Sequence, residues 1–356
     1  MSSVELMKLI QGNVLSLKPY HVESFDCEIK LHANENPFPP SKELLELFST
    51  SLQKLQLNRY PDPDSRALKD SIGDRLGIET KHLIIGNGSD EIILFLLQVF
   101  CREGDTITFP DPTFAMYSII AQSLGIKSVR ISLDSHWDFS ADVILQSAEE
   151  NNSKIIFLSY PNNPTGNCFS DTQVQKVIES FQGIVVIDEA YHDFSRKSFI
   201  NQIEEHNNLV VLRSLSKIGL AALRVGFGVA DPLVISEINK VRLPYNSNTI
   251  SQAFAEHLIT NFEPVQTQID SILDERHRLL GELYKIESVT AFPSDSNFIL
   301  FKTKHPAGSI FAFLAKNGIL VRNLSSYPKL NNCLRVTVGT KSENDRFLSK
   351  LKDFKS

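Results

Sequence analysis

The strongest constraint on the fold lies between residues 83 and 229, where seven short β-rich runs alternate with amphipathic stretches of helical length. The runs are Leu83–Ile85, Thr106–Phe109, Ser128–Ile131, Ile155–Ser159, Ile184–Ile187, Val210–Leu212 and Val225–Val229. Between them, Asp90–Phe100, Met116–Leu124, Ala141–Glu149 and Thr172–Phe181 carry apolar residues at helical spacing, and Ser170-x-x-Gln173 predicts a capping box for the last. A strand that is apolar throughout needs cover on both faces. Such strands separated by helices predict an α/β fold, a mostly parallel seven-stranded sheet between helices.

Beyond about Val241 the pattern changes. A long helical region to about Leu283 places Ile269, Ile272, Leu273, Leu280 and Leu283 on one face. Strand-like Phe298–Phe301, a helix near Ile310–Lys316, strand-like Ile319–Arg322 and Leu334–Val338, and a last helix opened by Thr340-x-x-Glu343 follow. This segregation predicts a smaller C-terminal α+β domain. The expected division is an N-terminal arm, 1–32, packing with the small domain, a large domain, 33–240, and a small domain, 241–356.

Composition narrows the function classes. The 36 basic and 42 acidic residues leave a formal charge of −6, so no global field draws a polyanion, and no nucleic-acid partner is expected. No apolar run has the length of a membrane span, and Met1–Asn13 lacks the pattern of a secretory signal. Four scattered cysteines predict neither a zinc site nor a disulfide framework, and nine histidines show no HExxH spacing. A cytoplasmic protein without a metal centre is the expectation.

Ligands of open α/β sheets bind beyond the carboxyl ends of the strands, so the residues after each run carry the most information. Gly86-Asn87-Gly88-Ser89-Asp90-Glu91 leads into a helix and could cradle a phosphate on backbone N–H groups; alone it reads rather as a capped tight turn. Tyr160-Pro161-Asn162-Asn163-Pro164-Thr165-Gly166 is constrained by two X-Pro bonds, and Asn163 could present a fixed amide, although Asn-Pro also starts ordinary turns. Asp188 ends a wholly apolar run, where a carboxylate needs a cationic or proton-donating partner unless it reaches an exposed edge. Lys217, between hydroxyls and an apolar segment, is the kind of amine that attacks a carbonyl, although most lysines are solvated.

Taken together, these segments resemble the fold-type I aminotransferases that use pyridoxal 5′-phosphate. The ordered set Asn163-Pro164-Thr165-Gly166, Asp188-Glu189-Ala190-Tyr191, Ser214-x-Ser216-Lys217 and Arg224 carries the resemblance, which runs from Leu31 to about Arg346. Ala33-Asn34-Glu35-Asn36-Pro37, Arg59-Tyr60-Pro61, Gly88-Ser89-Asp90-Glu91 and Cys333 to Thr340 are similar to the histidinol-phosphate aminotransferase branch. The resemblance implies that Lys217 holds the cofactor covalently and then serves as base and acid. It further implies that Asp188 pairs with the pyridinium nitrogen and that Asn163 and Tyr191 bond the phenolic oxygen. Ser89, Asp90, Ser214, Ser216 and Arg224 would hold the phosphate, Phe114 would stack on the ring, and Tyr60 would reach the neighbouring subunit's cofactor in a homodimer.

For substrates the resemblance implies L-glutamate/2-oxoglutarate and histidinol phosphate/imidazole acetol phosphate, in L-histidine biosynthesis. Arg335 would clamp the glutamate carboxylate, and Tyr20, Asn34, Asn246, Arg322 and Arg335 would form the substrate site. An aromatic-amino-acid aminotransferase and a phosphothreonine decarboxylase share the same cofactor residues. Arg224 follows Lys217 by seven positions, one fewer than in many members, which requires a tighter turn. His192 and Trp137 read as structural residues.

Overall fold

The computed structural model describes residues 3–19 and 25–354. The first strand, β1 (Ile29–Lys30), precedes helices at Lys42–Leu52 and Arg66–Leu76. The central strands are β2 (Leu83–Asn87), β3 (Thr106–Asp111), β4 (Lys127–Ser132), β5 (Ser153–Ser159), β6 (Ile184–Asp188), β7 (Leu209–Ser214) and β8 (Val225–Ala230). They form one seven-stranded sheet in the order β2-β8-β7-β6-β5-β3-β4. Only β8 runs against its neighbours, pairing antiparallel with both β2 and β7, so the sheet is mostly parallel as the alternation requires. Period-two alternation divides the apolar side chains between the faces: Ile156 and Leu158 of β5 enter one core, and Ile155 and Phe157 enter the other.

The parallel strands β3, β5, β6 and β7 end together, which places Asp111, Ser159, Asp188 and Ser214 along one edge. Helix Ser89–Phe100 starts beside that edge, directly after β2. At Gly226 of β8 a Cβ would lie 2.3 Å from the Ser89 amide nitrogen, so only glycine permits the strand to approach the helix start this closely.

The remaining strands are β9 (Val289–Ala291), β10 (Phe298–Thr303), β11 (Ile319–Leu320), β12 (Arg322–Asn323) and β13 (Cys333–Thr337). Four of them form an antiparallel sheet, β12-β13-β10-β9, while β11 pairs in parallel with β1. The expected single strand Ile319–Arg322 is therefore split at Val321, its first half serving β1 and its second half β13. The expected continuous helical region to Leu283 is also broken: helices span Thr249–Thr260 and Glu263–Leu283, with Pro264 at the start of the second. The box at Thr340 and Glu343 forms on both sides. The one expected at Ser170 does not, because the Gln173 side chain accepts instead from the Ala141 amide at 2.6 Å and ties two helices together.

Candidate active site

A cavity opens at the carboxyl edge of the sheet, where ligands of open α/β sheets bind. Ser89, Asp90, Phe114, Asn163, Asp188, Tyr191, Ser214, Ser216, Lys217 and Arg224 line it, with Ser159 and Ala190. Every cofactor residue expected from the sequence except Tyr60 is thus gathered on one surface from segments more than a hundred residues apart.

One end of the cavity is rich in hydrogen-bond donors. Helix Ser89–Phe100 points its N-terminus here, where the first-turn N–H groups have no partner inside the helix. Gly88, at φ +84°, brings the chain so close to Arg224 that a Cβ would lie 2.6 Å from a guanidinium nitrogen. Arg224 donates to Asp90 at 3.0 Å and to Ser216 Oγ at 3.3 Å. The short Lys217–Arg224 connection closes through two 3₁₀ turns, Leu215–Ile218 and Ala221–Leu223, with Arg224 itself left-handed at φ +54°. The tighter turn that the spacing requires is therefore built without displacing the guanidinium from the cavity.

The other end is defined by a buried carboxylate. Asp188 is 3% exposed; its Oδ2 accepts from the Tyr117 hydroxyl at 2.7 Å and its Oδ1 from the Ala190 amide at 3.1 Å. Burial pushes its carboxyl up to about 6, against the lowering effect of those two hydrogen bonds. Burial, and then the neighbouring Asp188, drive the Tyr117 phenol far above its usual range, so it stays a donor. Lys217 Nζ lies 5.6 Å from the centre of the Tyr191 ring. The Asn163 side-chain oxygen accepts from Arg335, and the Tyr191 hydroxyl accepts from Asn34 Nδ2 at 2.9 Å.

A wider opening adjoins this cavity, walled by His32, Asn34, Phe114, Arg322, Tyr327 and Arg335 among others. Arg335 is held against this wall by its bond to the His32 carbonyl, 2.8 Å, and its guanidinium sits 5.0 Å from the centre of the Phe298 ring. Burial lowers the His32 pKa, and its Nδ1 is buried without a hydrogen-bond partner among the described residues.

The sequence-derived substrate set is only partly assembled. Asn34, Arg322 and Arg335 face the opening, but Asn246 does not. Its amide donates to the Ile85 carbonyl and to Glu91, and its oxygen accepts from Arg242, which spends it on the outside of the turn before helix Ser89–Phe100. Tyr20 lies outside the described residues. Tyr60 is 80% exposed and stacks on Tyr245 at 4.5 Å, away from the cavity of its own chain.

Several residues escaped the sequence reading. Asn162, fully buried, donates to the Pro112 carbonyl and Thr165 and accepts from Thr113, clamping the Phe114 segment to the Asn163 segment. Glu189, beside Asp188, forms a buried pair with Arg213 at 2.9 Å and also accepts from Ser198 and the Phe199 amide. His32 and Tyr327 carry no local signal because neither belongs to a spaced motif.

The donor set fits pyridoxal phosphate. The glycine-lined helix start with Ser89, Ser216 and Arg224 suits a phosphate dianion, and Phe114 offers an aromatic wall. Asp188 is the acid that a protonated ring nitrogen needs, and Lys217 is the amine that an aldehyde needs.

Residues 27–351 match the family model described as aminotransferase class I and II. The chain is 39% identical over 355 residues to histidinol-phosphate aminotransferase 2 of Nitrosococcus oceani, covering 99% of each. It is 38% identical over 347 residues to the histidinol-phosphate aminotransferase of Aquifex aeolicus, covering 97% of this chain and 98% of that one. Among solved structures, the histidinol-phosphate aminotransferase of Sinorhizobium meliloti in complex with pyridoxal-5′-phosphate superposes with a TM-score of 0.89. That alignment covers 97% of both chains at 20% identity, a likeness of fold.

Proposed function

The chain belongs to the class I and II aminotransferases, and from that premise we propose that it transfers an amino group between L-glutamate and imidazole acetol phosphate, using pyridoxal 5′-phosphate. This is the histidinol-phosphate aminotransferase reaction, which gives L-histidinol phosphate and 2-oxoglutarate in L-histidine biosynthesis. The observation that carries the reading is the convergence of Lys217, Asp188, Asn163, Tyr191 and Arg224 on one cavity at the sheet edge.

Bound there, the cofactor supplies an aldehyde for amine capture and an electron-withdrawing ring. Lys217 would hold it covalently and, once released as a free amine, take a proton from the reacting carbon and return it. Asp188 would keep a proton at the ring nitrogen, because an unpaired charge at this buried site is costly and a cation against it is favoured. Ser89, Asp90, Ser214, Ser216 and Arg224 would fix the phosphate, and Phe114 would hold the ring plane. Arg322 and Arg335, facing the same opening, would receive the substrate anion, a carboxylate in one half-reaction and a phosphate in the other.

The reading extends to a cytoplasmic homodimer in which Tyr60 completes the partner's site. Its support is the exposure of Tyr60 on a surface where Leu57, Leu243 and Tyr245 are also exposed. No helix among the described residues is long and apolar enough to cross a membrane.

The test is a visible-light titration of the yellow holoenzyme with L-histidinol phosphate and, separately, L-phenylalanine. Histidinol phosphate should bleach the band at a concentration at least about tenfold lower, a preference of about 1.4 kcal/mol. Bleaching by phenylalanine first would move the enzyme to the aromatic class, and release of carbon dioxide from phosphothreonine would make it a decarboxylase.

A further inference from the structure

We propose that Asn34 is a positioning residue that sets the direction of the Tyr191 hydrogen bond, so that the phenol proton is delivered into the cavity toward the cofactor's phenolic oxygen. The proposal rests on the pyridoxal phosphate reading above, and it gives Asn34 a task other than touching substrate.

Asn34 is 1% exposed and held in the left-handed region at φ +56°, a conformation asparagine tolerates better than most residues. Its backbone N–H donates to Thr337 Oγ1 at 3.0 Å, and its carbonyl accepts from the fully buried Asn297 at 3.0 Å. Thr337 Oγ1, already an acceptor, still has its own proton to place, and Asn34 Oδ1 takes it at 3.2 Å. That bond decides which end of the amide is oxygen. The nitrogen end is left facing Tyr191, whose hydroxyl accepts from it at 2.9 Å.

An amide nitrogen only donates, so it cannot receive the phenol proton. No hydrogen bond among the described residues takes that proton either, and Tyr191 lines the cavity beside Lys217 and Asn163. The ring itself is fixed edge-on against Phe298 at 5.2 Å, and Phe298 is the register partner of Thr337. The antiparallel sheet thus holds both the ring and the amide that orients its hydroxyl. A phenol that merely faced the cavity could turn its proton to any acceptor; this one has a single direction left.

The direction has a spectroscopic consequence. A donor on the phenolic oxygen stabilises that oxygen as an anion and weakens the proton it shares with the lysine nitrogen, so losing the donor raises the pH at which the holoenzyme's visible band titrates. Asn34→Asp keeps shape and left-handed tolerance but replaces the donor with an acceptor, which turns the phenol proton away from the cavity. The experiment is the absorbance titration of purified holoenzymes of the wild type, Tyr191→Phe, Asn34→Asp and the double variant, with Thr337→Val as an uncharged route to the same effect.

Asn34→Asp should move the midpoint up by about one to two pH units, the size of a charge-assisted hydrogen bond, matching Tyr191→Phe. It should add nothing in the Tyr191→Phe background, and Thr337→Val should shift upward by a smaller amount. A full Asn34→Asp shift persisting in the double variant would assign the effect to the added charge and overturn the relay. So would a wild-type midpoint in Asn34→Asp or, should that variant not fold, in Thr337→Val. An unshifted Tyr191→Phe would remove the Tyr191 role and the relay with it, whereas a protein that forms no visible band would instead refute the cofactor reading.

Discussion

At Asp188 the fold and the chemistry pull in opposite directions. The carboxylate is buried with two hydrogen bonds from protein donors, and burial still raises its pKa from 3.8 to about 6. Below pH 4 both folded and unfolded chains carry the proton; between pH 4 and 6 the unfolded chain releases it first, so this group withdraws stability as pH rises. Above pH 6 the full cost is present. Cofactor-free Asp188→Asn should therefore unfold at higher urea concentration than cofactor-free wild type at pH 8, by about 2–3 kcal/mol, with the gap closing towards pH 4. A gap independent of pH would show that the carboxylate is not strained in the empty site. The placement of Asp188 after an apolar run was legible in the sequence, because an acid there calls for a partner. Its partner was not: Tyr117 is 71 positions away, and nothing about a tyrosine early in a helix announces where its hydroxyl points. Asn246 erred for the same reason, since its polar atoms are claimed by Glu91 and Ile85, which no local pattern links to it.

Among the elements, the central strands were legible because the inner ones, such as Ile184–Asp188 and Leu209–Ser214, are apolar on both faces, as helix-covered sheets require, and the edge strand Lys127–Ser132 still alternates with helices at the same spacing. The helices Lys42–Leu52 and Arg66–Leu76 were not, since they bury only Leu44 in one case and Leu68, Ile72 and Gly73 in the other, too few to declare a period. The split of Ile319–Arg322 was equally invisible, because a strand's sequence does not say that its two halves have different partners. The join between β8 and helix Ser89–Phe100 is where an element's packing bears directly on the site. Gly226→Ala places a methyl 2.3 Å from the Ser89 nitrogen and 2.6 Å from the Gly88 carbonyl carbon, neither of which belongs to a movable side chain. The helix start and the strand must separate, so we expect a loss of about 1–3 kcal/mol in stability and a cofactor dissociation constant raised about tenfold or more. Gly281→Ala is the control: within helix Glu263–Leu283 a Cβ there meets nothing within 4 Å, and the change should leave cofactor affinity unaltered while stabilising the helix by up to about 1 kcal/mol. Equal cofactor affinity in Gly226→Ala would mean that the close approach is a packing accident rather than a constraint on the phosphate cradle.

For the whole molecule, the question is whether one chain can hold a complete site. Ten of the eleven residues expected to contact the cofactor line one cavity, and the eleventh, Tyr60, stacks on Tyr245 at the surface instead. Tyr60 is 80% exposed on a surface where Leu57, Leu243 and Tyr245 are exposed too, an apolar patch of the kind that a partner copy covers. In a twofold dimer the same patch serves both copies, so a tyrosine that crosses one way also crosses the other. This geometry makes a prediction that a self-contained site does not. On the homodimer proposed above, the Lys217→Ala and Tyr60→Ala proteins should each be nearly inactive, one lacking its amine and the other its donated hydroxyl. Co-expressed, they form hybrids in which the site containing Lys217 receives Tyr60 from the Lys217→Ala chain and is whole, while the other site carries both lesions. With random pairing half of the dimers are hybrids with one whole site each, so activity should return to about a quarter of wild type. If Tyr60 instead served its own chain, every site in the mixture would carry one lesion, and assay of the separated hybrid would find no recovery at all.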